Sequence, residues 1–142
     1  MAAATTDRNT RSKLGSRRTL PVAATTLIYA GTIACVFTSG GSVGLLTKGA
    51  TATNLKALGV ATGRIDNAAG AASAIRGEVE VGVQGPFGNS ASSDLIAAKD
   101  IGADCFIVDD QTVALTNGGN TRSIAGKVWD VDAEGVWVLF QT

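Results

Sequence analysis

From Asp104 to Phe140 the chain reads DCFIVDDQTVALTNGGNTRSIAGKVWDVDAEGVWVLF, a series of short apolar runs separated by turn residues. Cys105–Val108 stops at Asp109-Asp110, and Val113–Leu115 stops at Asn117-Gly118-Gly119-Asn120. Ile124–Val131 stops at Asp132-Ala133-Glu134-Gly135, and Val136–Phe140 follows. Runs this short, rich in β-branched and aromatic residues and punctuated by Gly, Asn and Asp, predict strands of an antiparallel sheet. Asp132–Gly135 suits a type I turn followed by a glycine, a common hairpin closure. A strand with one wet face alternates apolar and polar residues. Cys105–Val108 and Val136–Phe140 do not alternate: Trp137 and Leu139 point one way, Val136, Val138 and Phe140 the other. Such strands need cover on both faces, from a second sheet, a helix or another subunit. Phe106, Val108, Trp129, Val136, Trp137, Val138 and Phe140 are therefore the expected core or subunit-interface positions.

The same logic applied upstream gives further strands at Leu20–Ala24, Leu27–Ala30, Thr32–Thr38, Val43–Thr47 and Leu55–Ala61, with Gly59 marking a bulge or a close approach. Asp66–Ala72 reads as a loop and Gly85-Pro86-Phe87-Gly88-Asn89 as a tight turn. Glu78–Val83 alternates, with Val79, Val81 and Val83 inward and both glutamates outward. Ser93–Asp100 predicts the one helix, one or two turns long, with Ser93 as N-cap and Gly102 ending it. The fold class expected is all-β: a small sandwich or barrel of antiparallel strands carrying one short helix and an extended N-terminal arm.

Residues 1–19 form that arm, and residues 20–142 the β-rich domain, since 142 residues make one domain the natural count. The arm has one large apolar residue past the initiator, Leu14, and no periodicity, so it buries too little surface to order itself. Its charge changes the picture. Arg8, Arg11, Lys13, Arg17 and Arg18 stand against Asp7 alone, whereas the rest of the chain carries seven basic and eleven acidic side chains. A basic arm on an acidic body favours an acidic protein surface, nucleic acid or a membrane. No aromatic residue is interleaved for base stacking and the acidic body repels phosphate, which turns the reading from nucleic acid towards protein.

Leu20–Phe37 is an uncharged run behind Arg17-Arg18, which raises an alternative: an exported or lipid-anchored β-domain with residues 1–35 as its signal segment. Pro21, Gly31, Thr25, Thr26 and Thr32 break the run into strand-length pieces, so strands are the preferred reading and no membrane partner is expected.

Candidate chemistry is sparse. The chain has no histidine, which removes the usual general base and the commonest metal ligand. Cys35 and Cys105 are in no metal-binding spacing and read as buried free thiols. Gly44–Lys48 lacks the Gly-Lys-Ser/Thr of a phosphate loop. Asp109-Asp110 and Asp130-x-Asp132 are the close carboxylate pairs. Asp130 and Asp132 with Glu134 could hold a hard cation, but their place at strand ends favours turn chemistry. The expectation is a protein that is not an enzyme, with no cofactor and no metal.

In segment order the chain resembles the head decoration, or cement, proteins of tailed bacteriophages. The residues that carry the resemblance are Leu27–Thr32, Leu58–Ala61, Val79–Val81, Gly85–Phe87, Ile101–Val113, Ala125–Asp132 and Gly135–Val138, spanning about residues 20–140. The likeness implies a virion protein, made in the host cytoplasm, that sits on the outside of an assembled capsid, commonly as a homotrimer, and binds the major capsid protein. The arm matches no motif of that family, and Arg8, Arg11, Lys13, Arg17 and Arg18 are its expected anchors on the shell.

Overall fold

The computed structural model describes residues 3, 5–7, 9, 11, 13 and 15–140. Arg8 and Leu14 lie outside them. Among the described residues the chain forms twelve strands: β1 (Arg17–Pro21), β2 (Thr26–Ile28), β3 (Ile33–Phe37), β4 (Leu46–Lys48), β5 (Leu55–Ala61), β6 (Ile65–Asn67), β7 (Arg76–Glu80), β8 (Gly82–Asn89), β9 (Asp104–Ile107), β10 (Thr112–Ala114), β11 (Ile124–Asp132) and β12 (Gly135–Phe140). The fold is all-β. β1-β7-β5-β3-β4 make a five-stranded sheet, β10-β8-β12-β11-β9 a small barrel closed by the β9–β10 pairing, and β2 pairs with β6. Every pairing of these strands is antiparallel except β8 with β10.

Two hydrophobic cores share one wall. The first fills the barrel and the space beneath it, and includes Ile33, Cys35, Leu55, Ala57, Val60, Cys105, Val136, Val138 and Phe140. The second lies on the other side of β3 and β5, and includes Val22, Ile28, Ala34, Leu46, Leu58, Ala61 and Val79. In β3 the period-2 alternation sends Ile33 and Cys35 to one core and Ala34 to the other. In β5 a bulge does the same: Ala34 pairs with Gly59 and Cys35 with Ala57, leaving Leu58 as the extra residue. The uncharged run from Leu20 to Phe37 thus becomes the end of β1, β2 and β3.

Four expectations are corrected. Ser93–Asp100 is not an α-helix with Ser93 as cap but two 3-10 turns, Ser92–Asp94 and Ala98–Asp100, neither capped by a serine. Between them Asn89 accepts the Ile96 N–H at 3.0 Å and donates to the Ile96 carbonyl at 2.8 Å, fixing that residue's backbone while its side chain enters the first core. Gly85–Asn89 is not a tight turn but the second half of β8, with Phe87 buried in the barrel. Asp66–Ala72 is not wholly a loop, because Ile65–Asn67 pairs with β2, and buried Asn67 donates to the Ala23 and Ala71 carbonyls. Val83 is not inward. The chain leaves the five-stranded sheet after Glu80 and enters the barrel at Gly82, which resets the phase and leaves Val83 39% exposed.

Candidate functional site

The basic positions divide at Arg17. Arg11 and Lys13 are exposed. Arg17 and Arg18 belong to β1, an edge strand of the five-stranded sheet, opposite Glu80 and Val79. The Arg17 guanidinium lies 3.3 Å from Glu80 and 3.7 Å from Glu78, so its charge is turned onto β7 rather than outward. Both partners are substantially exposed, and such pairs contribute little to stability. Arg18 has no ion-pair partner among the described residues.

The seven expected core or interface positions separate into two groups. Val136, Val138 and Phe140 are buried inside the barrel. Phe106 and Trp137 are half-buried on the opposite faces of β9 and β12, Val108 is half-buried just past the end of β9, and Trp129 is 56% exposed. Trp129 is the extra residue of a bulge in β11, since Val128 pairs with Val138 and Asp130 already with Trp137. The strands covered on both faces are β3 and β5, in the shared wall. The second faces of β9 and β12 are left half-covered, and Val83, Ile101 and Ile124 add exposed apolar surface to the same end of the chain.

Acidic side chains near the β11–β12 hairpin serve the backbone. Asp132 Oδ1 accepts the N–H groups of Glu134 at 2.8 Å and Gly135 at 3.2 Å, and Oδ2 accepts the Trp137 indole N–H at 3.0 Å. Asp109 Oδ1 likewise accepts the Gln111 N–H. Among the described residues no group of three or more His, Cys, Asp or Glu is placed to hold a metal ion, and no helix is long and apolar enough to cross a membrane. Both cysteines are free and buried, and burial pushes each thiol up to about 12, so neither presents a thiolate near neutral pH.

Three aspartates titrate low. The Thr116 hydroxyl, then Arg122, hold Asp94 below the usual carboxylate range; the Ala97 N–H, then Lys99, do so for Asp100; the Trp137 indole, then the Glu134 N–H, for Asp132. A carboxylate whose folded value is depressed adds stability that is complete above its unfolded value, about 3.9, and is lost as pH falls through the folded value. Stability is therefore expected to fall in acid. Asp132→Asn should shrink the difference between urea midpoints measured at about pH 7 and about pH 3. An unchanged difference would show that Asp132 contributes nothing to it.

One feature has no sequence signature. A cleft of about 650 Å³ opens between β5 and the β9–β11 side of the barrel. Leu55, Ala57, Phe106, Ile124 and Ala125 line it with apolar surface, and Asn117, Asn120, Lys56 and Arg122 supply polar groups. Arg122 is held in its wall by Asp94 at 3.2 Å and by the Thr116 carbonyl at 3.1 Å, and its buried Nε has no hydrogen-bond partner among the described residues. Asp94 and Arg122 are far apart in the chain, so only the fold brings them together. Among the described residues no acidic side chain lines the cleft, which suits it to a carboxylate beside an apolar group. No protein-family model, curated protein or solved structure matches the chain.

Proposed function

We propose that the protein is a capsid decoration, or cement, protein that binds the outer surface of an assembled phage head through the major capsid protein and reinforces it. The observation that carries this reading is the junction at Arg17. A basic N-terminal segment leaves the body from an exposed edge strand, so a positively charged tether has one end fixed in a sheet of an otherwise acidic domain. A second support is the half-covered apolar surface of β9, β11 and β12, which suits packing against another protein subunit.

The mechanism is binding linkage. A protein that binds the assembled shell and not its loose subunits stabilises the shell by mass action. In a homotrimer three arms act together, because the second and third contacts are effectively intramolecular, and weak single contacts suffice. Export with loss of residues 1–35 fits this fold less well: cleavage there would strip β1 and β2 and cut β3, deleting Val22, Ile28, Ile33 and Ala34 from the two cores.

Because β1 begins at Arg17 and the Ser16 carbonyl accepts the Val81 N–H at 3.0 Å, the truncation that isolates the arm removes residues 1–15 and spares the sheet. The shortened protein is expected to keep its far-ultraviolet spectrum and unfolding midpoint while its co-sedimentation with phage capsids weakens by at least about tenfold. Equal binding by the two forms would rule the arm out as the anchor, and no capsid binding by the full chain would rule out decoration.

A further inference from the structure

The cleft and the β11–β12 hairpin lie at opposite ends of one strand. Ile124, at the start of β11, lines the cleft, whereas Trp129 and Asp130 lie towards the far end of the strand and the turn at Asp132–Gly135 follows it. At about 3.3 Å per residue, the cleft and the hairpin end are separated by roughly 20 Å. They are also complementary. Of the charged residues lining the cleft, Arg122 is already paired with Asp94, and Lys56 has no ion-pair partner among the described residues, over an apolar floor of Leu55, Ala57, Phe106 and Ile124. The hairpin offers the exposed indole of Trp129 next to Asp130, with Glu134 in the turn beyond; neither acid has an ion-pair partner among the described residues. The chain's own basic arm has the wrong sign for that rim: Arg11 and Lys13 would meet Lys56 and Arg122.

We propose that the cleft is the seat for the β11–β12 hairpin of a second copy of this chain, with Trp129 as the apolar anchor and the acidic hairpin end, Asp130 and Glu134, facing Lys56 on the rim. This deepens the decoration reading, on which its biological sense rests, by naming how subunits join. A contact between two different patches of the same chain is heterologous, so it repeats from copy to copy and closes into a ring when the rotation allows. Each copy then gives one hairpin and receives one. Trp is a frequent energetic centre of such contacts, and the surrounding charges set orientation.

The test uses the isolated full-length protein in sedimentation experiments over a range of concentrations. The wild type is expected to form a closed oligomer. Trp129→Ala, Lys56→Glu and Glu134→Lys, all at exposed positions, should each keep the fold by circular dichroism yet weaken association by at least about tenfold. The double variant Lys56→Glu/Glu134→Lys restores opposite charges for that pair at every copy-to-copy contact and should recover association relative to either single variant. A wild type that stays monomeric, single variants that associate like the wild type, or a double variant that does not recover would each overturn the proposal. Capsid co-sedimentation of the same proteins separates this from the function. Oligomers that ignore capsids would leave the hairpin contact standing and remove decoration, whereas capsid-binding monomers would do the reverse.

Discussion

Phe140→Ala is expected to destabilise the protein by about 3–5 kcal/mol. Phe140 is 2% exposed, and its ring meets Phe87 edge-on, with centroids 5.9 Å apart and planes at 82°. The pair joins β12 to β8, an antiparallel seam of the barrel, so truncation removes apolar contact, an aromatic pairing and the filling of the interior together. A domain of this size has about 5–15 kcal/mol of net stability, so the loss is a large fraction of the whole. In urea the midpoint should drop with the slope unchanged, because the surface exposed on unfolding stays nearly the same. Trp129→Ala provides the contrast. It removes a larger ring, yet one that stands mostly in solvent, and in the monomer it should cost no more than about 0.5 kcal/mol. Similar costs for the two would mean that the barrel interior is not the packed core described above.

The contrast also shows what a sequence pattern can and cannot place. The runs at Val113–Leu115, Ile124–Val131 and Val136–Phe140 were legible because β-branched and aromatic residues between turn formers have few other ways to bury themselves. The sides of those strands were less legible. Val136–Phe140 is apolar on both faces, but only the Val136-Val138-Phe140 face is core; the Trp137-Leu139 face is half-covered. In β5 the two-sided burial was hidden, because the bulge around Gly59 breaks the period of two on which such readings rest. Ser93–Asp100 has the composition of a helix, yet at eight residues its own propensity is marginal. The amide of Asn89, four residues upstream, outcompetes it by pairing with both backbone groups of Ile96. Gly85-Pro86 carries a turn signal, but the two residues form a bulge in β8 opposite Trp137, between the Val136–Phe87 and Val138–Gln84 pairs, and a bulge is where a strand tolerates proline. The cleft was illegible altogether. Its wall is drawn from residues 38 to 126, and its cation is fixed by a carboxylate 28 positions away, so no local window contains it.

Gly59→Ala carries the second large effect, and it tests the shared wall. Gly59 has φ +150°, where a side chain is strained, and a Cβ there would overlap the Glu80 carbonyl on β7. That carbonyl is backbone and cannot swing aside, so relief requires β5 and β7 to move apart. Both cores would feel the shift, since Leu58 and Ala61 on one side and Ala57 and Val60 on the other flank the bulge. Strain at the backbone angle costs about 1–2 kcal/mol, and overpacking adds about 1–3 kcal/mol. Gly40→Ala separates the two contributions. Gly40 also has a positive φ, +88°, but nothing lies within 4 Å of the Cβ it would gain. That variant should show the angular cost of its own φ alone, and Gly59→Ala should exceed it by the overpacking and by the greater strain at +150°. If chemical denaturation gave the same loss for both, the close approach of β5 to β7 would not constrain this position. Were the excess present, glycine at position 59 would be required because the two cores are stitched through one strand with no room beside it for a single methyl group.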